Sequence, residues 1–131
     1  MVADWASQQT GAPLRNWFHA VGVVDDAGAI CGAASFHDMN GSNVELAVHC
    51  PRALRAGLVK QLFRFSFVTL GAHRVTIKTP RQNSVIKRHA PRFGFKFEGI
   101  MRHYYGPTKR LDAILFGLLK DDARRYWEGT S

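Results

Sequence analysis

The residues of this chain that could move a proton or hold an anion fall into a few neighbourhoods. His37, Asp38, Glu45 and His49 lie within one stretch of short, strand-like segments, and Tyr104 and Tyr105 follow much later. Carboxylates and imidazoles serve as general bases, and a phenol can return a proton. Soon after His49 comes Pro51-Arg52-Ala53-Leu54-Arg55-Ala56-Gly57. A helix beginning there offers unpaired backbone N–H groups, two guanidinium groups and a glycine that lets a ligand approach the main chain. That combination suits a phosphate, although a solvated basic helix start carries the same residues. Lys87, Arg88, Arg92 and Lys96, with Phe93, Phe95 and Phe97 interleaved, have the composition of a surface for single-stranded nucleic acid. No nucleic-acid motif accompanies them, so nucleic acid is the less favoured partner, and the phenylalanines read first as core and sheet residues.

The bulk properties narrow the classes. A chain of 131 residues predicts one domain, 1–131, with one core. The formal charge of +8 attracts polyanions without choosing among them. Cys31 and Cys50 stand outside any CxxC pattern and are too few for a structural zinc, so no metal is expected. Two reduced thiols, with neither a secretory leader nor an apolar run near the ~20 residues of a membrane span, predict a cytoplasmic protein with no membrane partner.

The elements that would position these residues follow from periodicity. Residues 2–9 read as a short helix around Trp5. Strands are predicted over 17–24, 29–38 and 43–49, separated by turns at Asp25–Gly28 and Met39–Ser42. In the third strand Val44, Leu46 and Val48 share one face, and Glu45, Ala47 and His49 the other. A long helix is predicted over 51–70, with Leu54, Leu58 and Leu62 in one row, Val59, Phe63 and Phe67 in the next, and Gly71 as its stop. Then come a strand over 74–79, a short helix over 84–90 capped by Asn83, strands over 95–105 and 111–119 joined by a turn at Gly106-Pro107-Thr108, and a polar tail with a last helical turn near 121–127. The strand–helix–strand unit in the middle requires a parallel pair joined by a crossover. The expected class is α/β (α+β): a mixed, mostly antiparallel sheet with helices packed on it.

Several motifs stand in a set order. Gly71-Ala72-His73-Arg74-Val75 follows the long helix, Asn83 comes nine residues after Arg74, and Gly94-Phe95 eleven after Asn83; Glu98-Gly99-Ile100-Met101-Arg102 and Asp112-Ala113-Ile114-Leu115-Phe116-Gly117-Leu118-Leu119 complete the series. The chain thereby resembles the GCN5-related N-acetyltransferase (GNAT) superfamily, in particular its ribosomal-protein alanine N-acetyltransferase branch, well over 43–127 and loosely over 17–42. The resemblance implies the GNAT fold, with a parallel strand pair at a central splay, helices on both faces and a reduced N-terminal part.

It also implies acetyl-CoA as acyl donor and transfer to the amine of a protein or small molecule, by a monomer or homodimer. On that basis the main chain of Leu46, Ala47 and Val48 would lie along the thioester and its N–H groups would hold the carbonyl oxygen as charge develops. Arg52, Arg55, Ala56 and Gly57 would take the phosphates, Asn83 the pantetheine arm, and Lys87 and Arg88 would reach CoA from the second helix. Glu45 is the first choice of general base, with His37 beside it and Tyr105 among the candidate proton donors; a strand carboxylate paired with a nearby cation is its bland alternative. The chain departs from the family where the central glycine of the phosphate loop is Arg55, the usual tyrosine is Ala90 and the usual serine is Ile86. These departures keep open two other functions, a GNAT-fold protein that binds CoA or a partner without catalysis and a basic nucleic-acid-binding module.

Overall fold

A computed structural model describes residues 17–24, 27–28, 30–48 and 56–127 of the chain. The helix expected over 2–9 and the start of the long helix at 51–55, with Arg52 and Arg55, lie outside the described residues. The strands are β1 (Trp17–Val24), β2 (Ile30–Asn40), β3 (Asn43–Val48), β4 (Arg74–Pro80), β5 (Lys96–Met101) and β6 (Ala113–Leu119). The helices are α1 (Ala56–Arg64), α2 (Ser84–His89) and the last turn α3 (Arg124–Trp127). The six strands form one sheet in the order β1-β2-β3-β4-β6-β5. All neighbours are antiparallel except β3 and β4, the parallel pair joined through α1.

One face of this sheet carries the core. Phe36, Val44, Leu46, Val75, Ile77, Phe116 and Leu118 are buried with Leu62 and with Val59, Phe63 and Phe67, the second row that the helix spacing predicts. Phe63 sits at the centre, with its ring centroid 5.9 Å from that of Phe95 and 6.3 Å from that of Tyr126. Ile86 and Ala90 belong to this cluster, so two of the three positions that depart from the resemblance are spent on packing.

The helix departs from the expectation in its last stretch. After Arg64 it widens into a π-helical turn, Phe65–Thr69. The Ser66 hydroxyl donates back to the Leu62 carbonyl at 2.8 Å, a bond that competes with the helical ladder and favours such a bulge. Gly71 then takes a φ of 70°, and the Ala72 N–H closes the end on the Ser66 carbonyl at 2.9 Å. The strand expected over 95–105 ends at Met101. Residues 102–112 form an irregular loop ending in a 3-10 turn, Lys109–Leu111, because the Asp112 carboxylate holds the His103 N–H at 2.7 Å and takes it out of any ladder.

Candidate active site

The parallel pair is in register over three residue pairs only: Asn43 with Arg74, Val44 with Val75, and Glu45 with Thr76. Beyond these β3 runs on to Val48 and β4 to Pro80 without further pairing, while Leu46, Ala47 and Val48 keep their register with Phe36, Ser35 and Ala34 of β2. The sheet therefore splays where β3 ends, and one side of the main chain of Leu46–Val48 is left open toward β4.

The closed end is held by side chains. The Thr76 hydroxyl donates to Asn43 Oδ1 at 2.6 Å and accepts from Arg74 Nε at 3.0 Å. Arg74 in turn makes a two-pronged bridge to Glu98 on β5. Glu98 sits in a bulge between Phe97 and Gly99 and lies over Gly117, where an added Cβ would run into its carboxylate. Arg74 holds the Glu98 carboxyl below the usual carboxylate range, chiefly through this hydrogen bond.

At the mouth of the splay the register brings Glu45 beside Thr76 on one strand and opposite His37 on the other. Alternation then puts Ser35, His37, Glu45, Ala47, Thr76 and Lys78 on the same face. Lys78 reaches across the gap. Its Nζ lies 3.2 Å from Glu45 Oε1 and donates to the Tyr104 hydroxyl at 3.1 Å. Burial works against the Lys78 ammonium, but the bonds to Tyr104 and Glu45 outweigh it and raise its pKa. The Tyr104 ring meets Tyr105 edge-on at 4.9 Å. Burial, then Tyr104, pushes the Tyr105 phenol up, with Lys78 acting in the opposite direction; Tyr105 therefore stays an O–H donor through the neutral range.

Of the expected proton-handling residues, Glu45, His37 and Tyr105 thus converge on one mouth. Glu45 carries a cation, with its Oε1 3.2 Å from Lys78 Nζ. His37 Nε2 lies 2.7 Å from the Ser35 hydroxyl. Asp38 does not end its strand as expected. It opens a bulge in which Asp38 and Met39 stand opposite Val44, with Asp38 at a φ of 45°. Lys78 and Tyr104 as a linked pair escaped the sequence, because they meet only through the β3–β4 register and the fold of a distant loop.

Of the residues expected to hold the cofactor, Ala56 and Gly57 open the described part of α1, soon after β3 leaves the splay. Asn83 caps α2: its Oδ1 accepts from the Ile86 N–H at 3.2 Å and its Nδ2 donates to the Thr79 hydroxyl at 2.9 Å. Lys87 and Arg88 are exposed on α2.

No family model and no curated protein sequence matches the chain. Solved structures do. A GCN5-related N-acetyltransferase from Brucella melitensis superposes with a TM-score of 0.67 at 23% identity, over 83% of this chain and 54% of that one. Mutant forms of the spermidine/spermine N-acetyltransferase SpeG from Vibrio cholerae superpose with a TM-score of 0.66 at 17% identity, over 81% of this chain and 69% of theirs. A chimera of that enzyme with hSSAT gives 0.64 at 17% identity. The likeness is one of fold, and the fold is that of the GCN5-related N-acetyltransferases.

Proposed function

We propose that this GNAT-fold chain is an acetyl-CoA-dependent N-acetyltransferase, passing an acetyl group to the amine of a protein or small molecule by direct attack on the thioester. Its main support is the opening of the parallel pair just past Glu45 and Thr76, beside the group Glu45, Lys78 and Tyr104. Acetyl-CoA supplies the activated acyl group. The open main chain of Leu46–Val48 would hold the acyl and pantetheine amides, Asn83 would add its second amide hydrogen, and Arg52, Arg55, Ala56 and Gly57, with Lys87 and Arg88, would take the phosphates.

The chain's own task is proton handling. A lysine-type amine has a pKa near 10.4, so baring its lone pair at pH 7 costs roughly 4–5 kcal/mol. Glu45 would accept that proton on its carboxylate, with His37 next to it across the strand pair. Tyr105, kept protonated by burial, would donate to the leaving sulfur. Spermidine is a substrate of the Vibrio enzymes by their names; here Lys78 at the mouth and a net charge of +8 favour a neutral or acidic acceptor over a polycation.

The test is acetyl-CoA turnover against a panel of amines, with Glu45→Gln alongside. The expected result is turnover in the parent and a fall of about 100- to 10,000-fold in the variant. A second reading, a GNAT-fold protein that binds CoA without transferring the acetyl group, is favoured by the Lys78 clamp on Glu45. It stands if acetyl-CoA raises the melting temperature while no amine in the panel is acetylated. Absence of any CoA-induced shift at millimolar concentration sinks both.

A further inference from the structure

At the β5–β6 loop a cleft of about 350 Å³ is lined by Arg81, Ile100, Arg102, His103, Lys109 and Asp112. We propose that this cleft is an oxyanion-binding site, taking a carboxylate or a phosphate monoester, and that it anchors the acidic end of the molecule bearing the acceptor amine.

The charge count carries the first half. The lining holds three permanent cations and one carboxylate. That carboxylate is already spent. Asp112 is 2% exposed; its Oδ1 accepts from the His103 N–H at 2.7 Å, its Oδ2 from Arg81 at 3.0 Å, and its carbonyl from the Arg81 N–H at 2.8 Å. Asp112 thus neutralises Arg81 and braces the loop. Arg102 and Lys109 are exposed and have no acidic partner among the described residues. His103 is held at a φ of 55°, a left-handed conformation that L-residues disfavour, and the bond from its N–H to the buried Asp112 maintains it. The loop is therefore fixed in a strained shape that leaves two unpaired cations beside an imidazole around one small cavity. A cavity of this size matches a small ligand or the end group of a larger one, and such a fork of cations suits an oxyanion.

The second half rests on the acetyltransfer reading; the anion site does not. Residues 102–112 form one loop, and the same loop places Tyr104 against Lys78 and so against Glu45. A ligand anchored through its anion at Arg102 and Lys109 would lie along a loop whose other contacts are the candidate proton-handling groups.

The experiment uses the full chain, labelled with nitrogen-15 and titrated at low salt with inorganic phosphate and, separately, with succinate. Saturable shifts are expected at the amides of Arg102, His103 and Lys109. They should weaken by about tenfold or more in Arg102→Ala/Lys109→Ala, two exposed positions whose truncation leaves the melting temperature unchanged. A response to phosphate alone identifies a phosphate monoester, and a response to succinate identifies a carboxylate. Shifts located elsewhere, or undiminished in the double variant, overturn the site. The second half is read from kinetics. The double variant should raise KM about tenfold for an amine carrying a carboxylate, with kcat unchanged, and leave KM alone for its amide-capped analogue. Equal effects on both amines overturn the acceptor assignment. Saturable binding at the loop without any acetylation overturns the acetyltransfer reading and leaves the anion site standing.

Discussion

Lys78 decides what Glu45 can do. An ammonium 3.2 Å from Oε1 pins the carboxylate in place, while its bond to Tyr104 orients the tyrosine pair. Because burial raises the Tyr105 phenol, Tyr105→Phe should lower kcat by about ten- to a hundredfold without moving any limb of the pH–rate profile below pH ~10, the ordinary tyrosine value. A limb that disappears below that pH would show that Tyr105 ionises in the working range and is no stored donor. Asp112 carries a different prediction. Its carboxyl is held low, chiefly by the His103 N–H and then by Arg81. A depressed folded-state pKa means stability that is complete above the unfolded aspartate value of ~3.9 and is lost as pH falls through the folded value. Acid unfolding curves should therefore show a contribution below pH ~4 that Asp112→Asn removes, together with lower stability at neutral pH because the new amide turns an N–H toward Arg81. That Glu45 and His37 share a face was legible in the sequence, since strand alternation and the hairpin between them place them side by side. Lys78 was not, since its partner is fixed only by the pairing of two strands far apart in the chain.

The splay is made by an imbalance between the two ends of β3 and β4. At one end Asn43 and Thr76 tie β3 to β4 and Arg74 reaches across β6 to Glu98 on β5; at the other no ladder joins β3 and β4. Gly117 belongs to this device, because any side chain there would displace the Glu98 carboxylate. Gly117→Ala should cost roughly 1 kcal/mol and several degrees of melting temperature, with the bridge itself worth only the small sum expected of a partly exposed pair. A variant that melts with the parent would mean that the glycine is incidental. The bulge in β2 has its own signature: with Asp38 at a φ of 45°, Asp38→Val should cost about 1–2 kcal/mol while Asp38→Gly is near neutral, read by chemical denaturation. The strand positions were legible because each carries its own alternation. Their ends were less so: Arg102 to Tyr105 continue a strand-like composition, yet one buried carboxylate captures the His103 N–H and turns the chain into a loop. The π-helical turn likewise depends on where Phe65 and Phe67 find space, with Phe65 packed 4.9 Å from Phe36, and no local periodicity reports that.

At the scale of the molecule, the order of elements was readable because a strand–helix–strand crossover leaves few ways to arrange a sheet, and the sheet has the parallel pair where that rule puts it. Apart from the family resemblance, what binds there was readable only as charge. A net charge of +8 gives a field that gathers any phosphorylated ligand, so binding strength by itself would say little about a specific acetyl-CoA site; the split between charge and shape says more. Saturation to about a hundred times Kd stabilises a folded protein by roughly 2.7 kcal/mol. On the proposed function, part of that stabilisation for acetyl-CoA would come from phosphates on cations and would weaken as salt screens them. The remainder would come from amides on the open edge of Leu46–Val48 and would be insensitive to salt. The melting shift caused by acetyl-CoA should therefore fall with rising salt to a plateau above zero, and acetyl-pantetheine, which lacks the phosphates, should give a smaller shift that salt hardly alters. A shift that vanishes entirely at high salt, with none from acetyl-pantetheine, would reduce acetyl-CoA to a polyanion on a basic surface and leave the splay without a ligand.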